Sequence, residues 1–165
     1  HVVLLGYNPV SRTIAQHLQG AEIPILVIDL DPNTFALLSA DPSPHVTGFY
    51  ADLYDPDTWH EAGFNKARLV ISCREEDQEA ELAILRWLKQ HAPEVPFMAS
   101  TDACNEALEL YEEGAVYVIQ GQELIGNHVH TLFRTSEETL HPCGNAHRER
   151  LEVLRNDDPD RFVFL

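Results

Sequence analysis

Short apolar runs and helix-like stretches alternate along this chain in a regular beat, and that alternation limits the folds open to it. Val2 to Leu5 is an apolar run, and beyond it Val10, Ile14, Ala15 and Leu18 recur at helical spacing. The stretch IPILVID is a second strand. It closes at Asp31-Pro32, where the aspartate can cap and the proline can open a helix over NTFALLSA. Asp55-Pro56 repeats that device between a third strand, HVTGFY, and a short helix, DTWHEAG, which ends at Gly63, a natural left-handed stop. ARLVISC is the fourth strand. After it, EEDQEAELAILRWLKQH is the clearest helix, with Ala80, Ala83, Ile84, Trp87 and Leu88 on one face. Its acids fall in the first turn and Lys89 and His91 in the last, as the helix dipole favours. VPFMAS, ACNEALELYEEG and AVYVI add a strand, a helix and a sixth strand.

Six short strands that are apolar throughout, rather than on alternate residues, need cover on both faces. The expected fold class is therefore α/β: a doubly wound, Rossmann-like parallel six-stranded sheet with helices on both faces, followed by a C-terminal helical or irregular extension. A flavodoxin-like arrangement is the competing α/β architecture. The chain has 165 residues, enough for one domain with a substantial core. The beat runs through residues 1–135, and residues 136–165 are polar, His-rich and read as an extension that could serve as an interface. Because an apolar strand begins at once after His1, with no leader before it, the sequence reads as a piece of something longer.

Composition narrows the function classes. A formal charge of -16 disfavours nucleic acid and anionic membrane surfaces as partners, since both reward clustered Lys and Arg. No apolar run approaches the roughly 20 residues that span a bilayer, so direct membrane insertion of this fragment is not expected. Cys73, Cys104 and Cys143 are odd in number and widely spaced, which fits a reducing compartment and places the chain in the cytoplasm.

The opening GYNPVS has the frame of a dinucleotide-binding turn, but Asn8 and Ser11 stand where the second and third glycines belong. Gly6 can make the tight bend. Asn8 tolerates a positive φ, yet its side chain intrudes where a pyrophosphate would pass. Pro9 removes one phosphate donor. Asp29 lies about 20 residues on, at the tip of the second strand, where an acid can accept from ribose hydroxyls. The residues alone leave two readings open, a nucleotide site and an α/β strand and helix with no ligand.

From His1 to about Arg134 the chain resembles the RCK or KTN domain, also called the TrkA N-terminal domain, of potassium channels, potassium uptake systems and cation/proton antiporters. Five stretches carry the likeness in order: HVVLLGY, PILVIDLDP, GFYADLYDPDTWHEAGFNKARLVIS, VPFMASTD and ALELYEEGAVYVI. The third is the most specific, matching the family's G-D-A-T-D-P-x-x-L-x-x-A-G-I-x-x-A segment.

The resemblance implies that Gly6, Tyr7 and Asn8 form the phosphate turn, with Val10 and Arg12 beyond it on the helix. It places Asp29 and Leu30 at the ribose, Ala51, Asp52 and Leu53 beside adenine, and Ser72 and Cys73 on the opposite wall. The arginine that relatives carry after the second glycine is missing here, unless Arg12 substitutes. The implied ligands are AMP, ADP, ATP or NAD(H). An intact adenosine half and an impaired pyrophosphate half favour AMP, or a vacant site, over NAD. The implied partner is a membrane cation channel or antiporter portion, in the same chain or as a separate subunit, which puts the domain at the inner face of the cell membrane.

Further along, Glu123 to Arg134 reads as a helix whose stripe of Ile125, Val129, Leu132 and Phe133 would pair two copies into a homodimer. His128, His130, His141, Cys143 and His147 match no trusted zinc spacing and read as solvated. The acidic run Glu75 to Glu81 reads as a solvated helix start, and Cys73 as a buried strand cysteine. A nicotinamide-dependent oxidoreductase is the enzyme alternative, but the nucleotide fold uses the length and no catalytic triad is local. A degenerate assembly scaffold without ligand is the third reading.

Overall fold

The computed structural model describes residues 1–40, 43–74, 78–134, 144–149 and 151–152. Contacts divide the chain into two compact units, His1–Gly121 and Gln122–Leu165.

The first unit alternates strand and helix: β1 (Val2–Leu5), α1 (Pro9–Gln19), β2 (Ile25–Asp29), α2 (Pro32–Ala40), β3 (Val46–Tyr50), α3 (Pro56–Glu61), a 3-10 turn at Phe64–Lys66, β4 (Leu69–Ser72), α4 (Gln78–His91), β5 (Phe97–Ser100), α5 (Cys104–Glu113) and β6 (Tyr117–Ile119). All six strands are parallel, in the order β3-β2-β1-β4-β5-β6. The sheet is the doubly wound one that the alternation predicts. Its order reverses between β1 and β4, and a crevice at such a point, outside the carboxyl ends of the strands, is where these folds take ligands.

Successive residues of a strand face opposite sides, so each strand feeds two cores. Val3, Leu5, Ile28, Val70 and Phe97 pack with Trp59, Phe64, Ile84, Leu88 and Leu110 on one face. Val2, Leu4, Ile25, Val27 and Ile71 pack with Ala15 of α1 on the other. β1, at the centre, is buried along its whole length.

The capping signals act as read. Asp55 caps α3 through its side chain, with Pro56 at the first helical position. Asp31 accepts from the Asn33 N–H at the start of α2 (2.9 Å). Gly63 adopts φ +66 directly after α3. Strand six is shorter than AVYVI suggests, because the Ala115 N–H is still used by the Leu110 carbonyl (2.8 Å) at the end of α5. Glu113 ties α5 to α4 by accepting from Lys89 (3.1 Å) and Arg86 (3.2 Å). These bonds hold its carboxyl below the usual range.

The second unit holds most of α6 (Gly121–Arg134), of which no residue is buried; Phe133 is 83% exposed. Residues 144–149 are helical.

Trp59 is 4% exposed, donates from Nε1 to the Leu53 carbonyl (2.9 Å) and meets Trp87 edge to face. It fastens the loop after β3 to α4. Trp59→Ala should therefore cost about 3–5 kcal/mol, and Trp59→Phe, which keeps most of the volume, less. Urea unfolding of both variants checks this, and equal losses would show that volume is not what Trp59 contributes.

Candidate functional site

Gly6 follows β1 with φ +78, a conformation costly to any residue with a Cβ, and its N–H still reaches the Ile28 carbonyl (2.9 Å). The turn then descends into α1. Asn8 is at φ -96, not in the left-handed region that its amide side chain would tolerate, so the bend rests on Gly6. The Asn8 side chain instead caps α1: Oδ1 accepts from the N–H groups of Val10 and Ser11, both at 3.0 Å. Its Nδ2 donates to the Cys73 carbonyl, which fastens α1 to the end of β4. Pro9 has no N–H. The donors that a helix N-terminus ordinarily offers to phosphate are thus used within the chain.

Asp29, at the end of β2, is used in the same way. Its Oδ2 accepts from the Tyr7 N–H (2.8 Å) and the Thr34 hydroxyl (3.0 Å), and its Oδ1 from the Asp31 N–H (2.9 Å). One carboxylate joins the glycine turn, the tip of β2 and the first turn of α2.

Between these groups lies a cavity of about 480 Å³ at the carboxyl ends of β1, β2 and β4, within the range usual for small-molecule sites. The glycine turn lines it with Gly6, Tyr7, Asn8 and Pro9. Asp29, Asp31 and Thr34 form a second wall, Cys73 and Arg74 a third.

Of the residues expected from the sequence, the cavity brings together Gly6, Tyr7, Asn8, Asp29 and Cys73. The others lie elsewhere. Leu53 is 5% exposed and belongs to the core with Trp59. Asp52 is exposed and accepts from the Tyr54 N–H (2.9 Å) in its own turn. Ala51 donates its N–H to the Asp29 carbonyl (3.3 Å), which keeps the tip of β3 beside Asp29. Val10 and Leu30 are exposed, Arg12 is half-buried on α1, and Ser72 is fully buried with no hydrogen-bond partner for its hydroxyl among the described residues.

Arg74, Asp31 and Thr34 were not anticipated. Nothing in the sequence ties Arg74 to the glycine turn 68 positions away, and only the pairing of β1 with β4 brings the two together. Its Cγ is so close to Gly6 that a Cβ there would meet it at 3.0 Å. Of the His-rich stretch, His141 and Cys143 lie outside the described residues, among which no group of three or more His, Cys, Asp or Glu could hold a metal ion. No helix among the described residues is long and apolar enough to cross a membrane.

Burial, with a smaller contribution from the charge of Glu81, pushes the Cys73 thiol up to about 12. At neutral pH it is protonated and shielded, whereas Cys104 is exposed. Alkylation by iodoacetamide at pH 7.5, mapped by mass spectrometry, should mark Cys104 in the native protein and Cys73 only after denaturation. Native labelling of Cys73 at a comparable rate would show that the cavity admits reagent to a reactive thiolate.

The profile described as the TrkA-N domain matches residues 2–121. A protein of Alkalimonas amylolytica that bears the name K(+) efflux antiporter KefB is 35% identical over 119 residues, which are 72% of this chain and 17% of that relative. This chain thus spans under a fifth of the relative's length. The TrkA-N domain of the inner membrane protein ybaL from Escherichia coli has the same fold, with a TM-score of 0.71, 20% identity, and coverage of 81% of this chain and 96% of that one. So has the Kef CTD of Shewanella denitrificans in its AMP-bound form, with a TM-score of 0.63, 16% identity, and coverage of 90% of each chain. GsuK structures of this fold hold NAD or ADP. With the profile covering most of its length and the six parallel strands in place, the chain belongs to the TrkA-N domain family.

Proposed function

We propose that residues 1–135 are a regulatory domain that binds an adenine nucleotide and gates an attached or associated K+ or Na+ channel or cation/proton antiporter, with residues 136–165 as an extension. The observation that carries this reading is the cavity at the sheet's switch point with Asp29 in its wall. Family membership and the AMP-bound Kef relative support it. In this reading the domain works at the inner face of the membrane and performs no catalysis. Ligand binding changes the transporter only if the ligand has different affinities for two conformations.

Among the candidate ligands, AMP fits best. The glycine turn retains the bend, but its amides serve Asn8 and Asp29, so a pyrophosphate finds few donors there. The ribose would meet Asp29, with Gly6, Tyr7 and Asn8 below the phosphate and Cys73 opposite. Ala51 and Asp52, at the tip of β3, would border adenine, with Leu30, Leu53 and Ser72 supporting from outside the cavity and Val10 and Arg12 in the first turn of α1. The same self-satisfied turn favours a second reading, a scaffold that keeps the fold for assembly and leaves the site vacant.

Titration calorimetry with AMP, ADP, ATP and NADH separates these. AMP should bind most tightly. NADH binding at least as tightly overturns the preference, and no heat with any nucleotide favours the scaffold. Asn8→Gly, which frees the Val10 and Ser11 amides, should raise NADH affinity relative to AMP while lowering stability by about 1–2 kcal/mol, from the lost cap and the lost bond to the Cys73 carbonyl.

We further propose that two copies pair through α6, where Leu124, Ile125, Val129 and Phe133 are exposed. Sedimentation at micromolar concentration should give a dimer, and Val129→Glu a monomer. A wild-type monomer defeats this proposal.

A further inference from the structure

We infer that Arg74 supplies the phosphate-reading charge that the glycine turn lacks, so that the site selects a nucleoside monophosphate through a cation carried by β4 instead of α1. This rests on the nucleotide reading above. Arg74 is the only basic residue lining the cavity among the described residues. It follows Cys73, whose carbonyl accepts from Asn8 Nδ2, so the end of β4 and the phosphate turn are joined just before the arginine. The aliphatic stem of Arg74 passes over Gly6 at close range, where a Cβ would meet its Cγ at 3.0 Å and the arginine would have to give way by a few tenths of an ångström. Glycine at position 6 therefore serves two ends, the φ of +78 and the passage of this side chain.

The guanidinium centre lies 5.8 Å from the centroid of the Tyr54 ring, and that ring is half exposed. A cation resting on an exposed aromatic face gains about 0.5–1 kcal/mol. Charge-assisted hydrogen bonds from a guanidinium to a phosphate are stronger, about 1.5–3 kcal/mol, and a planar fork can make two at once. A phosphate arriving over Gly6 therefore draws the guanidinium from Tyr54. The amides cannot compete for the same role, because Val10 and Ser11 donate to Asn8 and Tyr7 donates to Asp29. Asp29 and Asp31 make the opposite wall repulsive to phosphate, which orients the nucleotide with its ribose toward Asp29 and its phosphate toward Arg74.

The test uses AMP and adenosine on the whole chain and on Arg74→Gln and Arg74→Lys, by titration calorimetry, with thermal unfolding to verify that each variant is folded. The expected result is a tenfold or larger loss of AMP affinity in Arg74→Gln, an intermediate loss in Arg74→Lys, and unchanged adenosine affinity in both. AMP should also bind the wild-type chain more weakly at higher salt, and this dependence should flatten in Arg74→Gln. Wild-type affinity for AMP in Arg74→Gln overturns the inference and leaves the nucleotide reading standing. Equal loss of AMP and adenosine also overturns it, since Arg74 would then be shaping the cavity. Failure of the wild-type chain to bind AMP or adenosine defeats the nucleotide reading, and the inference with it.

Discussion

The carboxylate of Asp29 accepts three hydrogen bonds, from the Tyr7 amide, the Asp31 amide and the Thr34 hydroxyl, and these hold two of the three walls of the crevice together. Bonds to a charged acceptor contribute roughly 1.5–3 kcal/mol each, so the glycine turn, the tip of β2 and the first turn of α2 are held as one piece. The cavity is therefore shaped before any ligand arrives. Preorganisation of this kind removes much of the ordering cost of binding. It also consumes an amide that could otherwise face a phosphate.

Asn8 makes the same exchange on a second element. A glycine there would leave the first amides of α1 pointing outward, the arrangement that binds pyrophosphate in dinucleotide sites. The asparagine side chain takes those amides for itself and adds a bond to the Cys73 carbonyl. An N-cap of this type is worth about 1 kcal/mol to the helix. The amides of Val10 and Ser11 thus serve the fold, and in the proposed nucleotide reading a phosphate would need its partner on another wall of the cavity.

Which parts of this were legible in the sequence follows from the range of the interactions involved. The strands announce themselves because burial on both faces demands unbroken apolar runs such as Val2 to Leu5, and the helix starts because Asp-Pro pairs act within a few residues. Asp29 was legible through its spacing from the glycine turn, a local consequence of one strand-helix-strand unit. The conformation of Asn8 was not, since an asparagine can adopt positive φ or cap a helix, and only the position of the Cys73 carbonyl favours the cap. Leu53 reads as a wall residue by likeness, yet Trp59 draws its segment into the core. Arg74 was silent because its relation to Gly6 exists only once β1 and β4 pair.

These features divide the cavity into a fixed part and an adjustable part. Gly6, Asp29 and Asn8 are bound into the sheet and its caps by hydrogen bonds of 2.8–3.0 Å, so a nucleoside meeting them encounters much the same surface in any conformation that keeps the sheet. A ligand that touched only those groups would bind two states equally, and equal affinity shifts no equilibrium however tight the binding. Differential affinity has to arise at a group whose position can differ between states. Arg74 qualifies, since its stem crosses the turn and its charge rests against an exposed ring instead of inside the packed core. In the proposed sensor, the nucleoside supplies affinity and the phosphate, through this arginine, supplies the signal.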